Sequence, residues 1–127
     1  DGVEFLSLLR CAPQANPRRE FYYYLRNSLL AVRRDNWKLV HPHECKTNVD
    51  ATFGKDGRPG TMRAVFTDGR LYNLYTDPGE RYDLKDSFPE IVHELQELSD
   101  QIRLDLGDEL HKVEGKGVRI PCMMNSN

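Results

Sequence analysis

The chain is poor in the residues that would announce a redox, metal or membrane protein. Its three cysteines, Cys11, Cys45 and Cys122, are odd in number and widely spaced, which is no framework for a disulfide-stapled domain. No Cys-x-x-Cys pair occurs, so the spacing typical of structural zinc sites is missing. No Asn has Ser or Thr two places on, so there is no N-glycosylation acceptor. No apolar run is long enough to span a bilayer, and no signal peptide is visible. Neither sign of charge is in excess: 18 Lys and Arg stand against 20 Asp and Glu, for a net charge of −2. With the two signs interspersed, nothing points to nucleic acid or to an anionic membrane surface.

What is present suffices for one domain. A chain of 127 residues buries about two-thirds of its unfolded surface on folding. Its start, Asp1-Gly2-Val3, lacks Met and fits a processed protein or an excised domain. Val3, Phe5, Leu6, Leu8 and Leu9 suggest a helical turn or two, and Pro13 and Pro17 bound a loop. From Glu20 to Arg26 the chain is aromatic and strand-like, with Phe21, Tyr23 and Leu25 on one face and Tyr22 and Tyr24 on the other. Leu29–Arg33 and Trp37–Leu39-Val40 read as strands joined at Arg34-Asp35-Asn36, since Asp and Asn tolerate left-handed backbone. Residues 42–61 are polar and loop-like. Met62–Phe66 reads as a strand turning at Asp68-Gly69 into Leu71–Leu74.

One helix is well marked. Ser87-Phe88-Pro89-Glu90 has the form of a capping box, with Ser87 at the N-cap. Ile91, Leu95, Leu98, Ile102 and Leu106 recur at helical spacing, and Gly107 follows as a stop. The expected fold class is α+β: a small antiparallel sheet of about four strands packed by one long C-terminal helix. The expected division is 1–18 as linker, 19–86 as sheet, 87–106 as helix and 107–127 as tail.

Three sets of residues invite a functional reading. His41, His43 and Cys45 stand at alternate positions, and an extended chain would project all three to one side as zinc ligands. A fourth ligand would come from His93, His111, Cys122 or water; polar residues leaving a strand for a loop are the commoner outcome. Phe21, Tyr22, Tyr23, Tyr24 and Trp37 could stack sugar rings. Consecutive aromatics on a strand split between two faces, however, so half belong to a core and the rest to core or partner packing. Gly54-Lys55-Asp56-Gly57-Arg58-Pro59-Gly60 is glycine-rich but lacks the Lys-Ser/Thr ending of a phosphate-binding loop. No Ser/His/Asp set or carboxylate pair stands at a recognisable catalytic spacing.

Leu71-Tyr72-Asn73-Leu74-Tyr75-Thr76-Asp77-Pro78-Gly79-Glu80-Arg81-Tyr82-Asp83-Leu84 is the most distinctive stretch. Read physically it is a short strand running into a turn, with Pro78 fixing φ and Gly79 accepting positive φ. Its wording resembles the C-terminal signature of the sulfatases. Glu20-Phe21-Tyr22-Tyr23, Ala31-Val32-Arg33, Trp37-Lys38-Leu39, Pro42-His43, Gly54–Gly57, the Pro89-Glu90 helix, Leu106-Gly107-Asp108 and Gly115–Arg119 match arylsulfatase A-like members in order, over nearly the whole chain. Asp35 departs from a common turn Gly, and Cys45 from a common aromatic.

The resemblance implies a four-stranded antiparallel sheet with a C-terminal helix, following an N-terminal catalytic domain of the same polypeptide. That domain would carry formylglycine, the carboxylates for a divalent cation (calcium) and the Lys/His acid–base groups. No position here matches those motifs. Cys11-Ala12-Pro13 suggests the C/S-x-P-x-R formylglycine motif, but Ala15 stands where Arg is required. The resemblance thus implies the C-terminal portion of a hydrolase of aryl or carbohydrate sulfates that shapes the substrate cleft and is not catalytic alone. It suggests a periplasmic, secreted or lysosomal setting. His43, in the loop after Leu39, is the one residue nominated for substrate contact. The alternative is a free-standing module that binds a glycan or a protein through its aromatic strand. If a catalytic domain belongs beside this chain, Val3–Leu9 and whichever of Tyr22 and Tyr24 faces away from the helix should form a bare patch, open to self-association.

Overall fold

The structure is a computed structural model that describes residues 6–13, 18–47 and 52–119. Val3, Phe5, Ala15 and Cys122 lie outside the described residues. The elements are α1 (Leu6–Leu9), β1 (Glu20–Leu25), β2 (Ser28–Arg34), β3 (Trp37–Val40), β4 (His43–Thr47), β5 (Arg63–Thr67), β6 (Arg70–Asn73) and α2 (Pro89–Leu106). Four strands form one antiparallel sheet in the order β1-β2-β3-β6, and α2 lies across one face; β4 and β5 pair apart from it. This is the expected α+β architecture.

The turns explain the sheet. Asp35, at φ 52, joins β2 to β3, as a residue that tolerates left-handed backbone should. Its carboxylate is held by Arg19, just before β1. Between Tyr23 and Tyr24 the β1–β2 register slips by one residue. This bulge puts Leu30 and Ala31 on the same side and sends Leu29 and Val32 to the helix side. On that side Leu29, Val32, Leu39 and Leu71 meet Leu95 and Leu98 of α2 in one buried cluster. Trp37 and Phe88 close one end, with ring centroids 5.0 Å apart.

Two expected pairings are corrected. Residues 42–61 are not all loop: His43–Thr47 is a strand. Met62–Phe66 does not fold back on Leu71–Leu74; β5 pairs with β4, and β6 pairs with β3. The Asp68-Gly69 connection falls where the sequence put it, but it passes the chain between two sheets. Gly69, at φ 84, lies so near Val40 O and Pro42 that a Cβ would sit 3.0 Å and 3.2 Å from them.

The helix start is also corrected. Ser87 is not the N-cap: its N–H bonds to Leu84 O, and Phe88 occupies the cap position with no side-chain cap. Pro89 favours the first helical position and pushes the residue before it out of the helical region, so the boundary moves one residue on. The apolar stripe ends early as well. Leu106 is exposed, while Ser99 and Arg103 are buried on the sheet side. Ser99 Oγ satisfies itself by donating to Leu95 O at 2.7 Å.

After β6 the chain turns at Asp77, whose carboxylate accepts the Arg81 and Tyr82 N–H groups at 2.6 Å and 2.8 Å. The left-handed residue of this turn is Glu80, at φ 53, and not Gly79. The returning segment covers the sheet edge. Leu71 N–H reaches Asp83 Oδ1 at 3.0 Å, and Leu84 N–H reaches Leu71 O at 2.8 Å. Edge backbone groups of β6 are thereby paired, which removes a template for strand addition.

Candidate functional site

The face of the sheet turned away from α2 carries the candidate site. Strand alternation places Phe21, Tyr23 and Leu25 of β1 on that side, and all three are exposed. Tyr22 and Tyr24 both pack towards the helix, so neither is the outward aromatic that the sequence reading sought. Tyr22 Oη donates to Glu20 Oε2 at 2.6 Å, and burial together with this carboxylate pushes the phenol up to about 12. Tyr24 Oη donates to Gly107 O at 2.8 Å, which ties β1 to the end of α2.

The outward aromatics are topped by cations. Arg18 and Arg33 lie 5.6 Å and 5.4 Å from the Phe21 centroid, and Lys38 Nζ lies 4.7 Å from that of Tyr23. These are cation–π distances. Lys38 also pairs with Glu80 at 2.7 Å, so the turn after β6 is fastened to the middle of the sheet.

Over this face stands the β4–β5 ribbon. Its register sets His43 opposite Thr67 and Cys45 opposite Val65, and alternation turns these four inward. Between ribbon and sheet lies an open groove of about 460 Å³, within the usual size of ligand clefts. Tyr23, Leu30, Ala31 and Val40 give it an apolar floor, and Tyr72 lies beside them. Lys38, Lys46 and Arg70 line it against one acid, Glu80.

His43 lines this groove. Its Nδ1 lies 2.7 Å from His41 O. A carbonyl only accepts, so Nδ1 carries the proton and Nε2 of the neutral ring is an acceptor. Cys45 shares the groove with it, but His41 does not. His41 is buried, its N–H bonded to Leu30 O at 2.8 Å, and burial beside Arg103 lowers its imidazole to about 4. The proposed zinc trio is therefore not assembled. The chain breaks at Pro42, which separates His41 from the strand that carries the other two. Among the described residues no three His, Cys, Asp or Glu side chains converge to hold a metal ion. Cys11 is exposed in the turn ending α1, at φ 51.

A second polar cluster lies at the far end of α2. Asp108, fully buried, accepts from Arg103 Nε at 2.9 Å, Leu29 N–H at 3.3 Å, Leu110 N–H at 3.1 Å and His111 Nδ1 at 2.7 Å. Burial alone would raise its carboxyl, but the Arg103 and His111 bonds outweigh that and hold it low. Gly107, at φ 82, permits the turn; a Cβ there would meet Gly115 N at 2.9 Å. This cluster joins helix, sheet and tail, and Asp108 lines an open groove of about 400 Å³ together with Tyr24, Arg26 and Val113.

The sequence reading missed Lys38, Arg70, Tyr72 and Glu80 as neighbours. Lys38 stands beside Leu39 on a strand and must face the other way, a signal that alternation alone supplies.

A sequence model of the family described as the C-terminal region of aryl-sulfatase matches residues 16–123. The chain belongs to this family. The match covers all six strands and α2. No curated protein gives a match.

Proposed function

We propose that this sulfatase C-terminal region packs against an N-terminal catalytic domain through the sheet face opposite α2 and shapes the rim of the substrate cleft. The chemistry of sulfate-ester hydrolysis belongs to the catalytic domain, and His43 contributes a substrate contact. The observation that carries this reading is the open face itself. Phe21, Tyr23 and Leu25 are exposed beside the groove that holds His43. Leu6, Leu8 and Leu9 of α1 are exposed as well. Contiguous apolar surface on a soluble domain marks an interaction site, and ligand clefts favour domain boundaries.

The test uses the sulfatase that contains this chain. Phe21→Asp should lower its thermal midpoint and increase proteolysis between the two domains. His43→Ala should raise KM for the sulfate ester and leave kcat nearly unchanged, the pattern of lost ground-state binding. Wild-type stability in the first variant would remove the packing face, and an unchanged KM in the second would remove His43 from the cleft.

A further inference from the structure

We propose that the free edge of β1 pairs antiparallel with the same edge of a second copy of this chain, joining two four-stranded sheets into one continuous sheet. This goes beyond the cleft-rim reading, since it uses the margin of the sheet and not the face opposite α2.

The two margins of the sheet differ. At β6, Asp83 and Leu84 occupy the Leu71 backbone groups. At β1, among the described residues, no hydrogen bond other than those to β2 reaches the backbone of Glu20–Leu25. Arg19 O accepts the Asp35 N–H at 2.8 Å, so the Arg19 backbone points at β2. Alternation then turns the N–H and C=O groups of Phe21 and Tyr23 to β2 and those of Glu20, Tyr22 and Tyr24 outward. Natural sheet edges are blunted by Lys, Pro, a bulge or a covering segment. Glu20–Leu25 contains no Lys or Pro. The residue that bulges, Leu30, lies in β2, where Tyr23 opposes Ala31 and Tyr24 opposes Leu29, so β1 itself stays regular.

The side chains of β1 decide what such an edge accepts. Phe21, Tyr23 and Leu25 stand exposed on one face, and Glu20 is the only charge in the strand. Read in reverse, β1 supplies its own match. With Tyr23 on the two-fold axis, Phe21 falls opposite Leu25 of the second copy, Tyr22 opposite Tyr24, and Glu20 opposite Arg26. Tyr22 and Tyr24 both face outward, so their pairing closes backbone hydrogen bonds, and the apolar pairs beside them add cross-strand contact. Sliding one copy by two residues would set Leu25 against Arg19 or Phe21 against Asn27. Like charges are not opposed in the favoured register. Glu20 keeps Arg34 at 2.8 Å, while among the described residues no carboxylate lies within ion-pair distance of Arg26. Glu109 lines the groove beside Arg26 without pairing with it. Because the contact is the same on both copies, it closes at a dimer.

The test is sedimentation of the full chain over a range of concentrations, with amide hydrogen exchange on the same samples. A reversible dimer should form, and the Tyr22 and Tyr24 amides should become protected as it does. Tyr23→Lys sets like charges opposite each other at the axis and should weaken the dimer about tenfold, with a thermal melt establishing that the variant is folded. Tyr23→Cys, in a chain carrying Cys11→Ser, Cys45→Ser and Cys122→Ser, should oxidise to a disulfide-linked dimer, since Cα atoms of such directly opposed residues lie about 4.5 Å apart. Phe21→Cys in the same background faces Leu25 and should stay reduced. A monomer at every concentration, a dimer whose Tyr22 and Tyr24 amides exchange as in the monomer, or equal cross-linking at positions 21 and 23 would each overturn the proposal.

Discussion

Arg103 and Asp108 form a buried ion pair across the end of α2, with Nε 2.9 Å from Oδ2. The pair spans Gly107, so it fixes the direction in which the chain leaves the helix. Asp108 also accepts the Leu29 N–H, which makes it the point where helix, sheet and tail meet. Removing Asp108 leaves Arg103 with only the exposed Asp100 carboxylate at 2.8 Å and takes the acceptor from the buried Leu29 N–H. Asp108→Ala should therefore cost about 3–5 kcal/mol, measured by denaturant unfolding. Replacing both residues with leucine should cost less than that single change. A loss under about 1 kcal/mol for Asp108→Ala would mean that the cluster is solvated.

Acid should weaken the fold through His41. Its folded value is lowered from 6.5 to about 4, first by burial and then by Arg103 and His111, against the pull of Asp108 and Asp100. A depressed value means that the unfolded chain binds the proton more readily. The stability contribution is present above about 6.5 and is lost as pH falls through about 4. That shift corresponds to about 3 kcal/mol over the window. Asp108, also held low, adds to the loss in stronger acid. His41→Gln should flatten the dependence of unfolding free energy on pH between 7 and 4.5. An unchanged slope would assign the acid sensitivity to other groups.

Leu95→Ala and Leu98→Ala should each cost about 2–5 kcal/mol, the range for emptying a buried leucine site. Both are buried against Leu29, Val32, Leu39 and Leu71. Leu106→Ala, on the exposed last turn, should change stability by about half a kcal/mol or less. Comparable losses at all three positions in urea melts would show that the helix is rotated from the orientation described.

The chain by itself should not hydrolyse a chromogenic aryl sulfate, with or without calcium. Cys11 is followed by Ala15 where the formylglycine motif needs Arg, and no metal-holding cluster occurs among the described residues. Cation-dependent turnover that survives repurification would contradict this.

Much of the fold was legible because its signals are local. Alternation in Phe21–Leu25, the Asp35 turn and the Leu95–Leu98 stripe each decide an element without reference to distant residues. The misread parts depend on long-range choices. His43–Thr47 is too polar to look like a strand, and only its pairing with Arg63–Thr67 makes it one. Ser87 looked like a cap because the motif fits, yet Pro89 decides the boundary. The groove was the least legible. His43 was nominated through a resemblance, while Lys38, Arg70 and Glu80 come together only when β3, β6 and the following turn are placed side by side.

Val40 and Arg70 are partners in register on adjacent strands, yet thirty positions of numbering separate them. Everything from His41 to Gly69 leaves the sheet and returns on the neighbouring strand at the rung where it left. The detour contains the ribbon above the groove and the closed loop between Thr52 and Thr61. Apart from His41 and Gly69 at its two ends, none of its described residues is buried. Segments anchored at two neighbouring points tolerate rewriting well. The detour thus works as an exchangeable cassette: evolution, or an engineer, can swap the groove's outer wall while the sheet beneath keeps every rung.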